Sequence, residues 1–185
     1  SRVHVTLIDM HGGSGRVDGG IGIALNEPAV LLEAELAPAL AVSGGDVAVQ
    51  ERIRRIAADV LQKLGAGGSV AITVRSHYPA HVGLGSGSQL ALAVARAIAE
   101  LHGRHLPVKE LAKLVGRGGT SGIGTAAFEY GGFIVDGGHT FGAGGEKTDF
   151  RPSAASQGVS PPPIIARHDF PTDWKILVAI PDVPA

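Results

Sequence analysis

The sequence predicts an α+β domain in which a sheet and helices form layers without a strict βαβ alternation. Three observations support this. Several short segments alternate apolar and polar residues as strands do, residues 50–64 carry an i, i+3, i+4, i+7 apolar stripe, and residues 87–102 are apolar on every side. The 185 residues, 44% of them hydrophobic and 18% charged, are enough for one globular domain.

The first half of the chain is predicted to contain strands around one long helix. The segments with strand-like patterns are 3–8, 20–25, 29–36 and 70–75. In the first, Val3, Val5 and Leu7 share one face, and Pro28 precedes the third, where no ladder hydrogen bond is lost. The stripe over 50–64 predicts an amphipathic helix, which Gly65 ends.

The second half is predicted to be richer in helices. Residues 87–102 form a helix that is buried because it is apolar all round. Pro107 suits the first turn of a short helix that runs to about residue 115, and another short helix covers 122–130. A strand at 133–135 follows, then a long flexible loop over 141–163 and a last strand at 174–180.

Composition excludes several classes of function. Sixteen basic and seventeen acidic residues leave a net charge of −1, which provides no electrostatic basis for binding nucleic acid or an anionic membrane. The absence of cysteine excludes disulfides, thiolate metal sites and a cysteine nucleophile. No apolar run is long enough to span a bilayer, and the first six residues alternate like a strand rather than a signal peptide. We expect a cytoplasmic protein.

The 28 glycines cluster, and one cluster predicts a phosphate-binding loop. Gly83-Leu84-Gly85-Ser86-Gly87-Ser88 lies between a predicted strand and the buried helix, an arrangement that directs backbone N–H groups and the helix dipole at an anion. Ser86 and Ser88 are expected to cap the helix and to bind a phosphate oxygen or water on Mg²⁺. The pattern is neither a Walker A loop nor a dinucleotide fingerprint. A tight turn with an ordinary serine cap is the alternative.

Two segments resemble the GHMP superfamily of small-molecule kinases. Pro79-x-x-x-Gly83-Leu84-Gly85-Ser86-Gly87-Ser88 resembles its phosphate loop, and residues 118–139 resemble the segment in which Ser-Gly-x-Asp precedes a helix and a Gly-Gly turn. Gly124 occupies the position of that Asp, which in those kinases commonly serves as catalytic base or orients the substrate. Because glycine accepts no proton, the sequence departs here from ordinary kinase chemistry.

The segments 1–9, 15–22 and 117–124 are similar to the β-ribofuranosylaminobenzene 5′-phosphate synthases, a branch of that superfamily. The resemblance, which runs from residue 1 to about 139, implies a pentosyltransferase, expected as a homodimer. This family joins phosphoribosyl pyrophosphate to 4-aminobenzoate or 4-hydroxybenzoate with release of CO₂ and pyrophosphate, in tetrahydromethanopterin biosynthesis. It further implies that residues 1–185 form an N-terminal domain like ribosomal protein S5 domain 2, with a ferredoxin-like C-terminal domain expected but absent from this chain.

This chemistry indicates roles for particular residues. The glycine loop at 83–88, with Mg²⁺ and no organic cofactor, would neutralise the departing pyrophosphate. Anionic groups of the substrates would be held by a further set, namely Arg2, Arg16, Arg117, Thr120 and Ser121. The candidates for general base are Asp18, Asp9 and His4. The purely structural alternatives are a solvent-exposed or hydrogen-bonded strand face for Arg2 and His4 and turn positions for the two aspartates.

Other polar residues and other functions stay open at this point. Asp136 and His139 would bind a metal or form a turn, and Arg52, Arg54 and Arg55 are expected on the solvent-exposed face of the 50–64 helix. One competing function is an ATP-dependent GHMP-type kinase with its base elsewhere than position 124. The other is a non-catalytic fragment that binds a phosphorylated ligand.

Overall fold

A computed structural model describes residues 1–141 and 159–180. The strands are β1 (Arg2–Leu7), β2 (Arg16–Val17), β3 (Gly20–Ala24), β4 (Leu31–Ala37), β5 (Ala41–Ser43), β6 (Ser69–Ser76), β7 (Phe133–Asp136), β8 (His139–Thr140) and β9 (Ile164–His168). The helices are α1 (Val47–Leu64), α2 (Ser86–Leu101), α3 (Val108–Leu114) and α4 (Ile123–Glu129). This mixture of strands and helices confirms the predicted α+β class.

The four predicted helices are all present, with small differences at their ends. Helix α1 begins earlier than the apolar stripe because Asp46 caps it, accepting the Val49 N–H at 2.8 Å. It ends at Gly65, whose φ of 58° lies in the left-handed region. None of the helices in residues 1–141 and 159–180 is long and apolar enough to cross a membrane.

The prediction of a strand at 174–180 was wrong. These residues form no strand, because no strand of the described chain hydrogen-bonds to them. The last strand is instead β9, directly after Pro161-Pro162-Pro163, at the end of the predicted 141–163 loop. Most of that loop, 142–158, lies outside the described residues.

Two main sheets organise the chain. The four-stranded antiparallel sheet has the order β1-β3-β7-β9, and its register places Gly20 opposite Asp136 and Gly22 opposite Ile134. The three-stranded sheet has the order β4-β6-β5, with β5 parallel to β6. A two-residue ladder joins β2 to β8. Pairing in each sheet connects segments that are far apart in the chain.

The main core lies between the three-stranded sheet and helices α1, α2 and α3. Ile53 of α1, Ile72 of β6 and Leu92 and Ile98 of α2 are each at most 1% exposed. Helix α2 buries residues on all its faces, as its sequence predicts. Helix α4 packs on the four-stranded sheet so closely that a Cβ at Gly22 would lie 2.2 Å from Ile123 Cγ2. The first turn of α2 therefore lies near both β1 and α4.

Candidate phosphate-binding site

The loop before α2 presents backbone N–H groups without a side-chain cap. Gly85, with φ of 74°, is the N-cap residue, and no side chain hydrogen-bonds to the helix start. The expectation that Ser86 and Ser88 cap the helix was therefore wrong, because the turn at Gly85 makes Ser86 the first helical residue. Gly83, with φ of 79°, also needs a conformation that favours glycine. An uncapped helix start retains N–H donors for an anion.

Three arginines meet at this helix start. Arg2 Nη1 donates to the Gly83 carbonyl at 2.6 Å, and a Cβ at Gly85 would lie 2.8 Å from Arg2 Cζ. A Cβ at Gly87 would lie 2.7 Å from Arg52 Nη2 and 3.9 Å from Arg117 Nη2. Arg2 and Arg117 were predicted to hold anionic groups of the substrates, but their position at this helix start was not part of that prediction. Arg52, expected on the solvent-exposed face of α1, is half-buried and points to the loop, which corrects that expectation.

The arginines carry positive charge that no described carboxylate neutralises. None of the three forms an ion pair within residues 1–141 and 159–180, and the buried Nε atoms of Arg2 and Arg117 have no hydrogen-bond partner there. Burial lowers the pKa of both guanidinium groups, and the neighbouring Arg52 lowers the pKa of Arg117 further. Like charges held together beside free N–H donors form a site that an anion would stabilise.

A cavity of about 310 Å³ opens beside the loop. Five of the predicted site residues contribute to its walls: Arg2, His4, Ser88, Thr120 and Ser121. The remaining lining residues are Thr6, Leu7, Gly118, Gly124 and Thr125. The structure thus brings together β1, the start of α2 and the segment before α4. Arg2 and His4 are half-buried in this wall rather than on a solvated face.

The loop separates this cavity from a second one of about 400 Å³. Ser88 lines the first cavity, whereas Ser86 lines the second together with Arg52 and Tyr78. Leu84 is 4% exposed, and its carbonyl accepts the Arg2 N–H at 3.1 Å and the Tyr78 hydroxyl at 3.2 Å. Burial raises the pKa of Tyr78 to about 12. Leu84 therefore anchors the loop through its buried side chain and its carbonyl group.

The structure places Asp9, Arg16 and Asp18 outside the lining of the first cavity. The Asp9 carboxylate accepts hydrogen bonds from three backbone N–H groups of residues 11–14 and from the Ser14 hydroxyl at 2.8 Å. These bonds hold the pKa of Asp9 well below its usual range. Arg16 donates to the carbonyls of residues 137 and 138 at 2.5 and 2.7 Å. Asp18 is 2% exposed, with φ of 60°. His4 is thus the proposed base that lines the cavity.

Position 124 also lies in the cavity wall. A Cβ at Gly124 would approach Ser88 Cβ at 3.5 Å, an ordinary contact, so a side chain there would enter the cavity beside Ser88. Among the described residues, the cavity lining contains no carboxylate. The kinase carboxylate that the resemblance assigns to position 124 therefore has no counterpart among the described lining residues.

Two residues near the site, Arg52 and Asp136, were not predicted in the roles that the structure indicates. Arg52 follows Val49 and precedes Ile56 at helical spacing, so it borders the apolar stripe of α1. This spacing is the signal in the sequence, but it does not decide whether the Arg52 side chain points to solvent or to the loop. Asp136, expected to bind a metal or form a turn with His139, lies fully buried beneath the cavity. No group of three or more metal-binding side chains occurs in the part of the chain that the structure describes.

Comparisons with known proteins identify similar sequences. Residues 51–132 match the GHMP kinases N terminal domain. The chain is 50% identical to β-ribofuranosylphenol 5′-phosphate synthase of Methanothermobacter thermautotrophicus, over 99% of this chain and 56% of that protein. It is 48% identical to the protein of that name from Methanocaldococcus jannaschii, over 98% of this chain and 58% of that protein. The chain thus spans somewhat more than half the length of these relatives.

A solved structure shares the fold. The crystal structure of 4-(cytidine 5′-diphospho)-2C-methyl-D-erythritol kinase aligns with a TM-score of 0.50 and 20% sequence identity, covering 72% of this chain and 48% of that one. At this identity the likeness concerns the fold. It supports the predicted α+β fold.

Proposed function

We propose that the chain belongs to the GHMP superfamily, which its similarity to the GHMP kinases N terminal domain and to the β-ribofuranosylphenol 5′-phosphate synthases supports. In this proposal it forms the phosphate-binding part of an enzyme that transfers phosphoribose to a benzoate. In the proposed reaction, phosphoribosyl pyrophosphate condenses with a para-substituted benzoate and releases CO₂ and pyrophosphate. The name of these relatives specifies a phenol, which is what 4-hydroxybenzoate becomes after losing its carboxylate. We therefore favour 4-hydroxybenzoate over 4-aminobenzoate, and a role in tetrahydromethanopterin biosynthesis.

The observation that carries this proposal is the cluster of Arg2, Arg52 and Arg117 at the uncapped start of α2. Pyrophosphate carries several negative charges, and its departure from C1 of the ribose concentrates charge on the leaving oxygen. Guanidinium groups and backbone N–H donors that are already in place stabilise that charge without reorganisation. A single phosphate group would not engage three guanidinium groups as well as a pyrophosphate does.

The cavity next to the loop is proposed to hold the reacting groups. Its volume of about 310 Å³ accommodates a ring and part of a sugar, and its wall presents the His4 imidazole and the hydroxyl of Ser88. His4 Nε2 is buried and has no hydrogen-bond partner in the described chain. Because His4 lines the cavity, we propose that its ring accepts the proton of the substrate hydroxyl. Among the three predicted bases, His4 is therefore the one we propose.

Magnesium fits this site only through the substrate. In proteins Mg²⁺ is bound through one or two carboxylates together with substrate phosphates, and the described lining of this cavity offers Ser88 but no carboxylate. We propose that Mg²⁺ arrives with the pyrophosphate group, whose charge it partly neutralises, and that Ser88 contacts the complex directly or through water.

An assay of the protein at the length of its relatives tests the proposal. Phosphoribosyl pyrophosphate and 4-hydroxybenzoate should together yield pyrophosphate and CO₂ in equal amounts, with 4-aminobenzoate as the parallel substrate. Absence of both products with either benzoate would contradict the proposed reaction. Phosphoryl transfer from ATP would instead support the kinase alternative, which the lack of a carboxylate among the described cavity residues disfavours. Product formation by the longer protein alone would show that this chain holds only part of the site.

A further inference from the structure

Asp136 connects three glycine-rich segments beneath the cavity. Its side chain is fully buried, and its carboxylate accepts four hydrogen bonds. Oδ1 accepts the N–H groups of Gly20 at 3.1 Å and Gly138 at 3.0 Å. Oδ2 accepts the Ser121 hydroxyl at 2.9 Å and the Gly122 N–H at 2.8 Å. A carboxylate bound only by donors is suited to its ionised form.

The same carboxylate lies next to His4 across Gly20. A Cβ at Gly20 would lie 3.0 Å from Asp136 Oδ2, 3.0 Å from His4 Nε2 and 3.1 Å from Ser121 Oγ. The two charged or chargeable groups are therefore within about 6 Å of each other, the range over which an opposite charge shifts a pKa. Only a residue without a side chain allows three polar groups to approach the backbone this closely.

Opposing effects act on His4. Burial and the positive charge of Arg2 lower the pKa of the imidazole, whereas Asp136 and a hydrogen bond with the Thr6 backbone raise it. Burial raises the pKa of Asp136, against the effect of its four hydrogen bonds. Arg2 and Asp136 are the charged groups that act on the ring from β1 and β7. Their balance determines whether His4 accepts a proton near neutral pH.

We propose that Asp136 is a positioning residue for the reaction, because its fixed carboxylate stabilises the protonated form of His4 and holds the Ser121 hydroxyl in the cavity wall. The inference rests on the proposed function. His4 Nε2 faces the carboxylate without a direct hydrogen bond to it, so the stabilisation is electrostatic and acts across the space above Gly20. Ser121 connects Asp136 with the cavity, because its hydroxyl donates a hydrogen bond to Asp136 and Ser121 lines the cavity.

In the proposed reaction, His4 carries the substrate proton while the bonds of the ring and the ribose change. The substrate O–H bond breaks, its proton passes to His4 Nε2, and its electron pair enters the ring. The ring carbon that carries the carboxylate bonds to C1 of the ribose, while the C1–oxygen bond breaks and pyrophosphate leaves with that pair. Loss of CO₂ returns the carbon–carbon pair to the ring and restores aromaticity. The phenolate oxygen then recovers the proton from His4.

Histidine NMR on this chain tests the positioning role independently of catalysis. In Asp136→Asn we expect the pKa of His4 to fall by about 1 or more relative to the wild type, because the charge that stabilises the imidazolium is gone. Asp59→Asn, which removes an exposed carboxylate paired with Lys63 on α1, is the matched control and should leave His4 unchanged. A His4 titration that is the same in Asp136→Asn and the wild type would overturn the inference.

A second measurement applies if Asp136→Asn fails to fold. Coupling between two titrating groups is reciprocal, so carbon NMR should show that the Asp136 carboxyl titration in the wild type contains a step tied to His4. In His4→Gln that step should disappear, and an unchanged Asp136 titration would refute the coupling. Pyrophosphate binding by the same samples bears on the proposed function alone. A chain that binds no pyrophosphate but shows the coupled titration would contradict the phosphate site and support the pairing.

Discussion

Replacing Arg52 with alanine separates anion binding from folding. The Arg52 guanidinium lies at the start of α2, where a Cβ at Gly87 would be 2.7 Å from its Nη2 atom. It forms no ion pair within the described chain and lowers the pKa of Arg117. The variant should therefore weaken pyrophosphate binding without destabilising the ligand-free protein. Because repulsion between the arginines is relieved, the free energy of unfolding should rise slightly, by about 0.2–1 kcal/mol.

The expected loss of binding free energy follows from the contact between Arg52 and pyrophosphate that the variant lacks. A hydrogen bond to a charged group contributes about 1.5–3 kcal/mol, and we expect the lower part of this range because Arg2 and Arg117 remain. A loss of about 1.5–2 kcal/mol corresponds to an increase of about tenfold to thirtyfold in the Kd for pyrophosphate. The effect should diminish as salt concentration rises, because added ions screen a half-exposed charge.

Isothermal titration calorimetry with pyrophosphate measures this effect, with thermal unfolding in parallel. Arg54→Ala is the matched control, since Arg54 is on the same helix but bonds to the Gln50 side chain at 3.0 Å and the Val42 carbonyl at 3.3 Å. Equal losses in Arg52→Ala and Arg54→Ala would show that net charge alone matters. Unchanged affinity in Arg52→Ala would refute the assignment of Arg52 to the site.

Three further substitutions test the fold around the site. Gly20→Ala places a Cβ 3.0 Å from Asp136 Oδ2 and should lower the free energy of unfolding by about 1–3 kcal/mol, whereas Gly67→Ala, with open space around it, should have little effect in the same urea titration. Tyr78→Phe should remove a loss of stability at alkaline pH. A tyrosine whose pKa rises to about 12 on folding stabilises the protein fully below its unfolded pKa of about 10, and this stabilisation is lost as the pH rises to about 12. Circular dichroism as a function of pH would measure the difference between the variant and the wild type. Ile98→Ala removes a fully buried side chain and should cost about 2–5 kcal/mol in the same titration, and a loss below 1 kcal/mol would contradict the assigned core.

Local signals explain why the helices could be predicted. The apolar spacing of residues 50–64, the stop at Gly65 and the position of Pro107 act within a few residues of the structure that they specify. The short strands β2 and β8 have no such signal, because each is two residues long and exists only through pairing with the other. The 174–180 segment shows the converse, since its apolar pattern forms no strand without a pairing neighbour.

The sequence alone was enough to indicate the α+β class and the glycine-rich loop at 83–88, because these depend on glycines and apolar periods that are contiguous in the chain. The resemblance to the GHMP superfamily came from the spelling of that loop and of residues 118–139, and the match of residues 51–132 to the GHMP kinases N terminal domain agrees with it. Only the tertiary structure decided which polar residues share the site. The antiparallel pairing of β1, β3 and β7 brings His4 close to Asp136, and the packing of α1 against α2 turns Arg52 toward Gly87. Residues far apart in the chain meet through sheet register and helix packing, which is why spacing along the sequence does not reveal them.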